Sequence, residues 1–398
     1  MKLSTMIITL SLPRFSSCFV SRSIHPATSF AASSISLQSS RLFGSSSDEE
    51  TDLIGVSVSR LDTLQTLLSE RGAPGSRGCT QGGGDLVPIP LSSSSSSEFK
   101  DLHPHLLPLA RSQSTGNVIC ALRRAYADDA GYDSPSLASP WPIVESAVGL
   151  PGMRLLSLNS EHLMRRICAD ADANLEGDDA QRILGLYNDG LGSGALSDRA
   201  MDVPYEAGSV EKLGYGLEKY VLLRVGPFPD LYETMANQHL SRGDEESSLI
   251  AAEASNGKFG GFGSTFAFYA KLLSSLPNRS EECRDAARMC VRMPLPSMGL
   301  TVSDFATISK MAGFADAADN TETALEKMRD MYEKIREHEQ DENSGDKSVK
   351  QTAMEDANYL LDIACLTGRK YGELRSEIAK IYREAGMESD ADFADRVQ

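Results

Sequence analysis

The chain has 398 residues, of which 39 are basic and 56 acidic, so its formal net charge is −17 at pH 7. This acidity leaves no basic stripe that could neutralise phosphates, and direct nucleic-acid binding is therefore not expected. After the first 47 residues no apolar run approaches the ~20 residues of a membrane-spanning helix. No transmembrane segment is predicted, and any membrane association should be peripheral.

Residues 1–47 differ sharply from the rest of the chain in composition. They contain four basic residues, 15 serines and no carboxylate side chain, whereas residues 48–398 hold 35 basic and 56 acidic residues, a net charge of −21. A segment of this kind cannot bury enough apolar area to fold. It is typical of an organelle-targeting presequence, and residues 1–47 are predicted to be one.

This presequence contains two candidate processing signals. The run Ala27-Thr28-Ser29-Phe30-Ala31 resembles the Ala-Ser-Ala-Phe junction of preproteins imported into secondary plastids, as in diatoms. The resemblance implies a bipartite presequence and a location in the plastid. The run Arg41-Leu42-Phe43 before Gly44 looks like a mitochondrial processing site with Arg at position −3, so a mitochondrion is the alternative.

Residues 48–115 are predicted to be a low-complexity linker. They contain a serine run at 92–97, a glycine triplet at 82–84 and five prolines, a composition typical of linkers and loops. One patch of Leu, Ile and Val recurs at helical spacing and predicts a helix over residues 56–70. Because an isolated helix of this length is marginal in water, it is expected to dock on the rest of the chain.

Residues 116–158 are predicted to form a small strand-containing segment. Short apolar runs bounded by Gly, Pro or Asn predict strands at Val118–Leu122 and at residues 153–158. The chain's single tryptophan, Trp141, lies between these runs among prolines. This setting is typical of a packing residue in a rigid loop, and we prefer that interpretation to a ligand platform.

From residue 159 to residue 398 the pattern is helical, in one domain or two lobes. The predicted fold class is mainly α: an irregular stack of αα-hairpins, preceded by the strand-containing segment, the linker and a disordered presequence. Gly243, Gly257, Gly368 and Gly386 stand where helices should end. Three residue pairs have the spacing of a capping box: Asp178 with Gln181, Asp230 with Glu233, and Asp319 with Glu322.

The helices come in pairs joined by short turns. Apolar stripes at three-four spacing predict hairpins over residues 231–255, 265–292 and 352–385. The second and third loosely resemble tetratricopeptide-type hairpins, with small residues such as Ala270 and Ala286 at the crossing points. The chain departs from that family because the spacing is not a constant 34 residues, the Trp-Leu-Gly pattern is missing, and prolines interrupt the series.

Cysteine and histidine give no reactive constellation. No Cys-x-x-Cys spacing occurs, and Cys283 and Cys290 lie two helical turns apart, about 10.5 Å along the axis, which is too far for a disulfide. Buried thiols are therefore expected. No His-Glu-x-x-His motif is present, and His103-Pro104-His105 has no spaced partner ligands. Neither a catalytic group nor a metal site is predicted.

One glycine-rich segment, residues 257–265, is the best local candidate for a ligand site. A predicted helix follows it, so backbone N–H groups and a lysine could hold a phosphate there. The candidate residues are Lys258, Gly260, Gly261, Gly263 and Ser264. A P-loop would need Gly-Lys-Ser/Thr after a strand, and here the lysine comes first. The preferred interpretation is a connection between helices whose phenylalanines fill the core: Phe259, Phe262, Phe266 and Phe268.

Two functions follow from these patterns. The preferred hypothesis is a non-enzymatic helical scaffold, imported into an organelle, that binds a protein partner as an assembly or maintenance factor for a plastid complex. The alternative is a plastid or mitochondrial enzyme, or a phosphate-ligand-binding protein, that uses the glycine-rich segment at 257–265. The sequence predicts no specific cofactor, partner or oligomeric state.

Overall fold

The computed structural model describes residues 58, 60–79, 83–93, 96–125, 140–147, 150–191, 203–343 and 347–396, all within one compact unit, Gly44–Gln398. The presequence and both candidate processing signals lie outside these residues. Five β-strands and fourteen α-helices form within the described ranges. The prediction of a mainly α protein with a small strand segment is confirmed.

The strands form one antiparallel sheet in which neighbours in sequence are neighbours in space. Their bounds are β1 Leu86–Pro88, β2 Leu106–Ser112, β3 Val118–Leu122, β4 Ile143–Ser146 and β5 Arg154–Ser157. The predicted strands correspond to β3 and β5. The sequence analysis missed β1, β2 and β4, so the sheet begins at Leu86 rather than after residue 116. Pro108 in β2 conceals that strand, because it lies at a shift in the pairing with β3 where a proline is tolerated.

Helix α1 precedes the sheet, and four further helices follow it. Their bounds are α1 Leu61–Arg71, α2 Ser160–Asn174, α3 Gly177–Asp189, α4 Ser209–Leu213 and α5 Leu217–Arg224. Helix α1 accounts for the described part of the helix predicted over 56–70. Its leucines 64, 67 and 68 are fully buried, so it docks as expected.

The remaining nine helices form the C-terminal part. Their bounds are α6 Pro229–Ser241, α7 Glu245–Asn256, α8 Ser264–Ser274, α9 Ser280–Cys290, α10 Val302–Met311, α11 Thr321–Asn343, α12 Val349–Thr367, α13 Arg375–Glu384 and α14 Glu388–Asp395. Helices α6 and α7 pack as a hairpin, and so do α8 and α9, in agreement with two of the predicted pairs. In the third pair α13 lies against α12 but packs more extensively on α14.

The predicted C-terminal ends of the helices agree with the structure, whereas the predicted N-terminal caps do not. Helices α6, α7, α12 and α13 end within two residues of the expected glycines. All three predicted capping boxes are wrong: α3 and α6 begin without a side-chain cap, and Asn320 caps α11 by accepting a hydrogen bond from the Thr323 N–H. The described capping boxes are Thr301 with Asp304 and Ser348 with Gln351.

Each face of the sheet is covered by a different group of side chains. Alternate residues point to opposite faces of a strand. Ile119 and Ala121 therefore join a cluster with residues of α1 and α2, whereas Val118 and Cys120 join a second cluster. Phe259 and Phe262, from the connection between α7 and α8, belong to this second cluster. The helical part thus covers the face of the sheet that α1 and α2 leave open.

The C-terminal helices also return to the sheet region. Trp141 is buried and makes an edge contact with Phe393 of α14, with ring centroids 5.5 Å apart, which confirms that it packs inside a loop. The buried Arg375 donates hydrogen bonds to four backbone carbonyls, three of them in residues 99–102. The contacts with residues 99–102 join positions 273 to 276 apart in sequence.

Candidate functional site

The glycine-rich segment forms the connection between α7 and α8. Phe259 and Phe262 are fully buried. Phe266 and Phe268 are half-buried and pack on two other clusters of the helical part. The four phenylalanines therefore contribute to cores, as the preferred interpretation of this segment expects.

The predicted phosphate-site residues lie together in this connection, and one of its backbone donors has a partner within the protein. The Gly263 N–H donates to Ser297 Oγ at 2.9 Å. A Cβ on Gly263 would come within 2.8 Å of Met298 Cγ, so the glycine is required by close packing. Gly261 has a φ of 84°, a backbone conformation that favours glycine. Close packing at Gly263 and the backbone conformation at Gly261 thus explain why both residues are glycines.

The other three candidate residues, Lys258, Gly260 and Ser264, differ in their exposure and hydrogen bonds. Lys258 and Gly260 are exposed, and the Gly260 carbonyl accepts a hydrogen bond from Arg124 at 3.5 Å. Ser264 at the start of α8 has a buried hydroxyl without a hydrogen-bond partner. The phosphate site stays a prediction.

The cysteine thiols of the described residues are all free and buried, which confirms the expected burial. Burial raises the pKa of Cys168, Cys290 and Cys365 to about 12 in each case. A thiol in this state is protonated at neutral pH and is a poor nucleophile or metal ligand.

The two histidines of His103-Pro104-His105 are buried against tyrosines. The His105 ring makes an edge contact with Tyr382 and its Nε2 lies 2.9 Å from the Tyr382 hydroxyl, while His103 packs on Tyr371. Burial lowers the pKa of both, in His105 to about 3. In the described part of the chain no three His, Cys, Asp or Glu side chains are grouped to hold a metal ion.

A cleft of about 310 Å³ opens where the sheet region meets the helical part. One wall consists of the loop at residues 75–77, Arg154 on β5 and Arg166 on α2. The other wall is the first half of α6, which contributes Asp230 and Glu233. We refer to it as the junction cleft. The sequence analysis missed it entirely.

Ion pairs line the junction cleft. Arg166 donates two hydrogen bonds to Asp230, at 2.7 and 2.5 Å, and stacks over the Phe228 ring at 4.5 Å. Arg77 and Arg154 both donate to Glu233 Oε2, at 2.8 and 3.3 Å. The two carboxylates are thus engaged by guanidinium groups, which leaves neither poised as a general base.

Local folding explains how these side chains meet. Pro229 occupies the first turn of α6, where its missing N–H costs nothing. This start places Asp230 in the first turn of α6 and Glu233 in the next, where both line the cleft with the sheet region. The arginines lie 64 to 156 residues before their carboxylate partners in sequence, so no local spacing could have indicated the cleft. The only signal was the Asp230–Glu233 spacing, which fitted a capping box equally well.

One buried carboxyl group lies in the helical part. Asp362 on α12 accepts hydrogen bonds from the Leu295 N–H, at 2.7 Å, and from the Tyr332 hydroxyl. Burial raises its pKa to about 7. Asp362 therefore ties α11, α12 and the 3₁₀ turn Leu295–Met298 together without a cationic partner in these contacts.

None of the described helices has the length and apolarity to cross a membrane.

Two domain families match the C-terminal part of the chain. The PAB middle domain matches residues 229–315, and the PAB C-terminal domain matches residues 328–396. The chain is also similar to the Protein IN CHLOROPLAST ATPASE BIOGENESIS, chloroplastic, of Arabidopsis thaliana, with 31% identity over 300 residues. The alignment covers 73% of this chain and 78% of that protein, so it extends into the region before residue 229. No solved structure matches the chain.

Proposed function

Because the chain belongs to the family of the Arabidopsis protein IN CHLOROPLAST ATPASE BIOGENESIS, we propose that it is a plastid factor that assists the biogenesis of the plastid ATPase. The observation that carries this proposal is the 31% identity over 300 residues. The alignment is longer than the helical part, so it also includes residues before position 229.

We propose further that it acts without catalysis, by binding a protein partner during assembly. Several side chains of the described residues that could take part in catalysis are poorly suited to it. The thiols are buried and protonated, and burial keeps both histidines of residues 103–105 neutral. The carboxylates of the junction cleft are engaged by arginines. A stack of helical hairpins offers an extended surface of the kind that binds proteins.

Inactivation of the gene in its native host tests the proposed function. We expect the assembled plastid ATPase, measured by native gel electrophoresis and immunoblotting, to fall several-fold while other plastid complexes of similar size keep their abundance. Reintroduction of the wild-type gene should restore it. Unchanged ATPase abundance, or an equal fall in all complexes, would contradict the proposal.

Affinity capture tests the non-enzymatic part of the proposal. The full chain with a C-terminal tag, expressed in the host, should retain a subunit of the plastid ATPase in a stoichiometric complex. Repeated recovery of the chain alone, together with turnover of a metabolite by the purified protein, would favour an enzyme instead.

The import route is part of the same proposal. Residues 1–47, with the secondary-plastid type of junction at 27–31, should direct a fused fluorescent protein to the plastid. Replacing Phe30 by Ala should leave the fusion outside the plastid stroma, whereas replacing Arg41 should have no effect on its location. Mitochondrial fluorescence that depends on Arg41 would support the alternative signal.

A further inference from the structure

We propose that the outer side of helix α5 binds the same surface of a second copy of this chain, so that the protein forms a two-fold dimer. Leu223 on α5 is 65% exposed, and Tyr215, just before the helix, is 64% exposed. The Lys219 ammonium lies 6.0 Å from the centre of the Tyr215 ring, and Leu223 follows Lys219 by one helical turn. Exposed apolar side chains that lie together are typical of interaction surfaces. We define the α5 face as Tyr215, Glu218, Lys219, Leu222 and Leu223.

The inner side of α5 fixes this face on the sheet region. Tyr220 and Val221 are buried and belong to the core cluster that also contains residues of α1 and α2. The Tyr220 ring makes an edge contact with Tyr205, with ring centroids 6.2 Å apart. Leu222 is partly buried and packs against the same cluster. Helix α5 therefore presents its outer side to solvent as part of the folded chain, and a second copy can bind without any refolding.

The charges around the α5 face permit two copies of an acidic chain to meet there. Residues 203–224 hold three acidic and three basic residues, a net charge of zero, whereas the whole chain has a net charge of −17. All six side chains are exposed, and no ion pair links them to the described part of the chain. They are Glu206, Glu211, Lys212, Glu218, Lys219 and Arg224. Because salt screens charges beyond about 8 Å under physiological conditions, this local balance matters more than the total charge.

The order of the residues makes the α5 face complementary to itself. Glu218 and Lys219 are adjacent in sequence and therefore do not face each other on one helix. In an antiparallel two-fold pair of α5 helices centred between these residues, Glu218 of each copy lies opposite Lys219 of the other. In the same register Tyr215 lies opposite Leu222 and Leu223, because it precedes the centre by as many residues as they follow it. One arrangement therefore pairs the charges and covers the apolar side chains.

The size of the α5 face indicates a reversible dimer of modest affinity. Helix α5 has 8 residues and is about 12 Å long, so it alone covers less than the roughly 800 Å² per partner of a standard interface. Val203 is 52% exposed and lies two residues before Tyr205, which packs beside α5, so it enlarges the available contact. We expect a dissociation constant in the micromolar range. This dimer is separate from the proposed role in ATPase biogenesis, which stands or falls by other experiments.

Sedimentation equilibrium of the purified full chain tests the dimer. We expect the average mass to rise from 43.0 kDa, the mass of one copy, towards twice that value as the concentration increases from about 1 to about 200 μM. The rise should reverse on dilution, because the contact is a small one between folded molecules. A mass that stays at that of one copy over the whole range would overturn the proposal.

Charge reversal on α5 tests the antiparallel arrangement. Glu218→Lys and Lys219→Glu each place like charges opposite one another, and each should weaken association about tenfold, because every pair occurs twice in a two-fold dimer. The two variants change the net charge of the chain in opposite directions, so a loss in both cannot come from overall repulsion. The double variant inverts both charges and should restore the association of the wild type. A double variant as weak as the single variants would overturn the proposed pairing.

A matched pair of apolar substitutions tests the location of the contact. Leu223→Ser removes an exposed side chain from the α5 face and should weaken association at least tenfold. Ile250→Ser is the control, because Ile250 on α7 is 61% exposed and lies outside the α5 face, and it should leave association unchanged. Circular dichroism checks the fold of both variants. Equal effects of the two variants would assign the dimer to another surface. A monomeric chain whose capture of an ATPase subunit is abolished by Leu223→Ser would show that the α5 face binds that subunit instead of a second copy.

Discussion

The sheet region, residues 58–228, and the helical part, residues 229–396, are stabilised in different ways. The sheet region depends on buried charges from distant positions, such as Arg60 and Glu161, whose side chains are 3% and 6% exposed. In the helical part many ion pairs are exposed and local, such as Arg279 with Glu282, and small residues pack the hairpins together. Loss of one partner of a buried ion pair strongly destabilises a protein, whereas an exposed ion pair contributes little to stability.

This difference indicates where substitutions should lower the stability of the molecule most. Several side chains of the helical part contact the sheet region, among them the phenylalanines at 259 and 262 and the arginine at 375. Trp141 lies at this boundary and is the chain's single tryptophan, so its fluorescence reports on the sheet region while circular dichroism reports chiefly on the helices. If the boundary contacts dominate stability, both signals should change together on unfolding.

Phe259→Ala should have the largest effect. Phe259 is fully buried between the sheet and Tyr232, whose ring centroid lies 6.0 Å away. Removal of such a side chain leaves a cavity and should lower the free energy of unfolding by about 3–5 kcal/mol, measured by urea unfolding. Phe266→Ala is the control, because Phe266 is half-buried within the helical part and should cost less. Equal losses would show that the contact with the sheet has no special weight.

Arg375→Ala should follow, with a loss of about 3 kcal/mol. The variant removes the arginine donor from four buried or partly buried backbone carbonyl groups and breaks its link between α13 and residues 99–102. Lys370→Ala is a matched control that breaks an exposed ion pair with Asp101 across the same two segments, and it should cost less than about 1 kcal/mol. A loss no greater than that of the control would remove the distinction between buried and exposed charges.

The sequence indicated the helical part far better than the sheet region, for a physical reason. Helices depend on spacing of three to four residues, so stripes such as Cys283, Ala286 and Cys290 are visible locally. Strand β2, by contrast, contains Pro108 and lies in a proline-rich stretch, and only its pairing with β1 and β3 makes it a strand. Its assignment needed a partner that sequence spacing does not reveal.

The candidate sites show the same limit. The glycine-rich segment was visible because its residues are consecutive, and its phenylalanines were correctly expected in the core. The junction cleft was not, because Arg77, Arg154 and Glu233 converge only in the folded chain. The spacing of Asp230 and Glu233 suggested a helix cap, yet both side chains bond to arginines of the other region. Asp230 and Glu233 therefore pair with distant arginines instead of capping their own helix.

Asp362→Asn tests the helical part by pH. The unfolded chain releases the proton of this residue near pH 4, whereas the folded chain keeps it until about pH 7, because burial raises the pKa. Between these values the folded state binds more protons, so this group lowers stability as pH rises from about 4 to 7. Asn can still accept from the Leu295 N–H. The variant should therefore gain about 2 kcal/mol on the wild type between pH 5 and pH 8.

The measurement is urea unfolding at both pH values, with the difference between variant and wild type as the readout. His103 and His105 titrate in both chains and have the opposite sign, since their lowered pKa values make the folded state lose stability as pH falls below about 6.5. Their contribution cancels in the difference. A difference that does not change with pH would mean that Asp362 is not a buried protonated group at pH 5.

Lys258→Ala should have the smallest effect and decides between the two interpretations of the glycine-rich segment. Lys258 is exposed, while Gly263 donates its N–H to Ser297, so substitution of the lysine should change the free energy of unfolding by less than about 0.5 kcal/mol. Millimolar phosphate should not raise the thermal midpoint of the wild type. A phosphate-dependent rise that Lys258→Ala abolishes would instead make this connection a ligand site, because an anion that binds only the folded chain stabilises it by mass action.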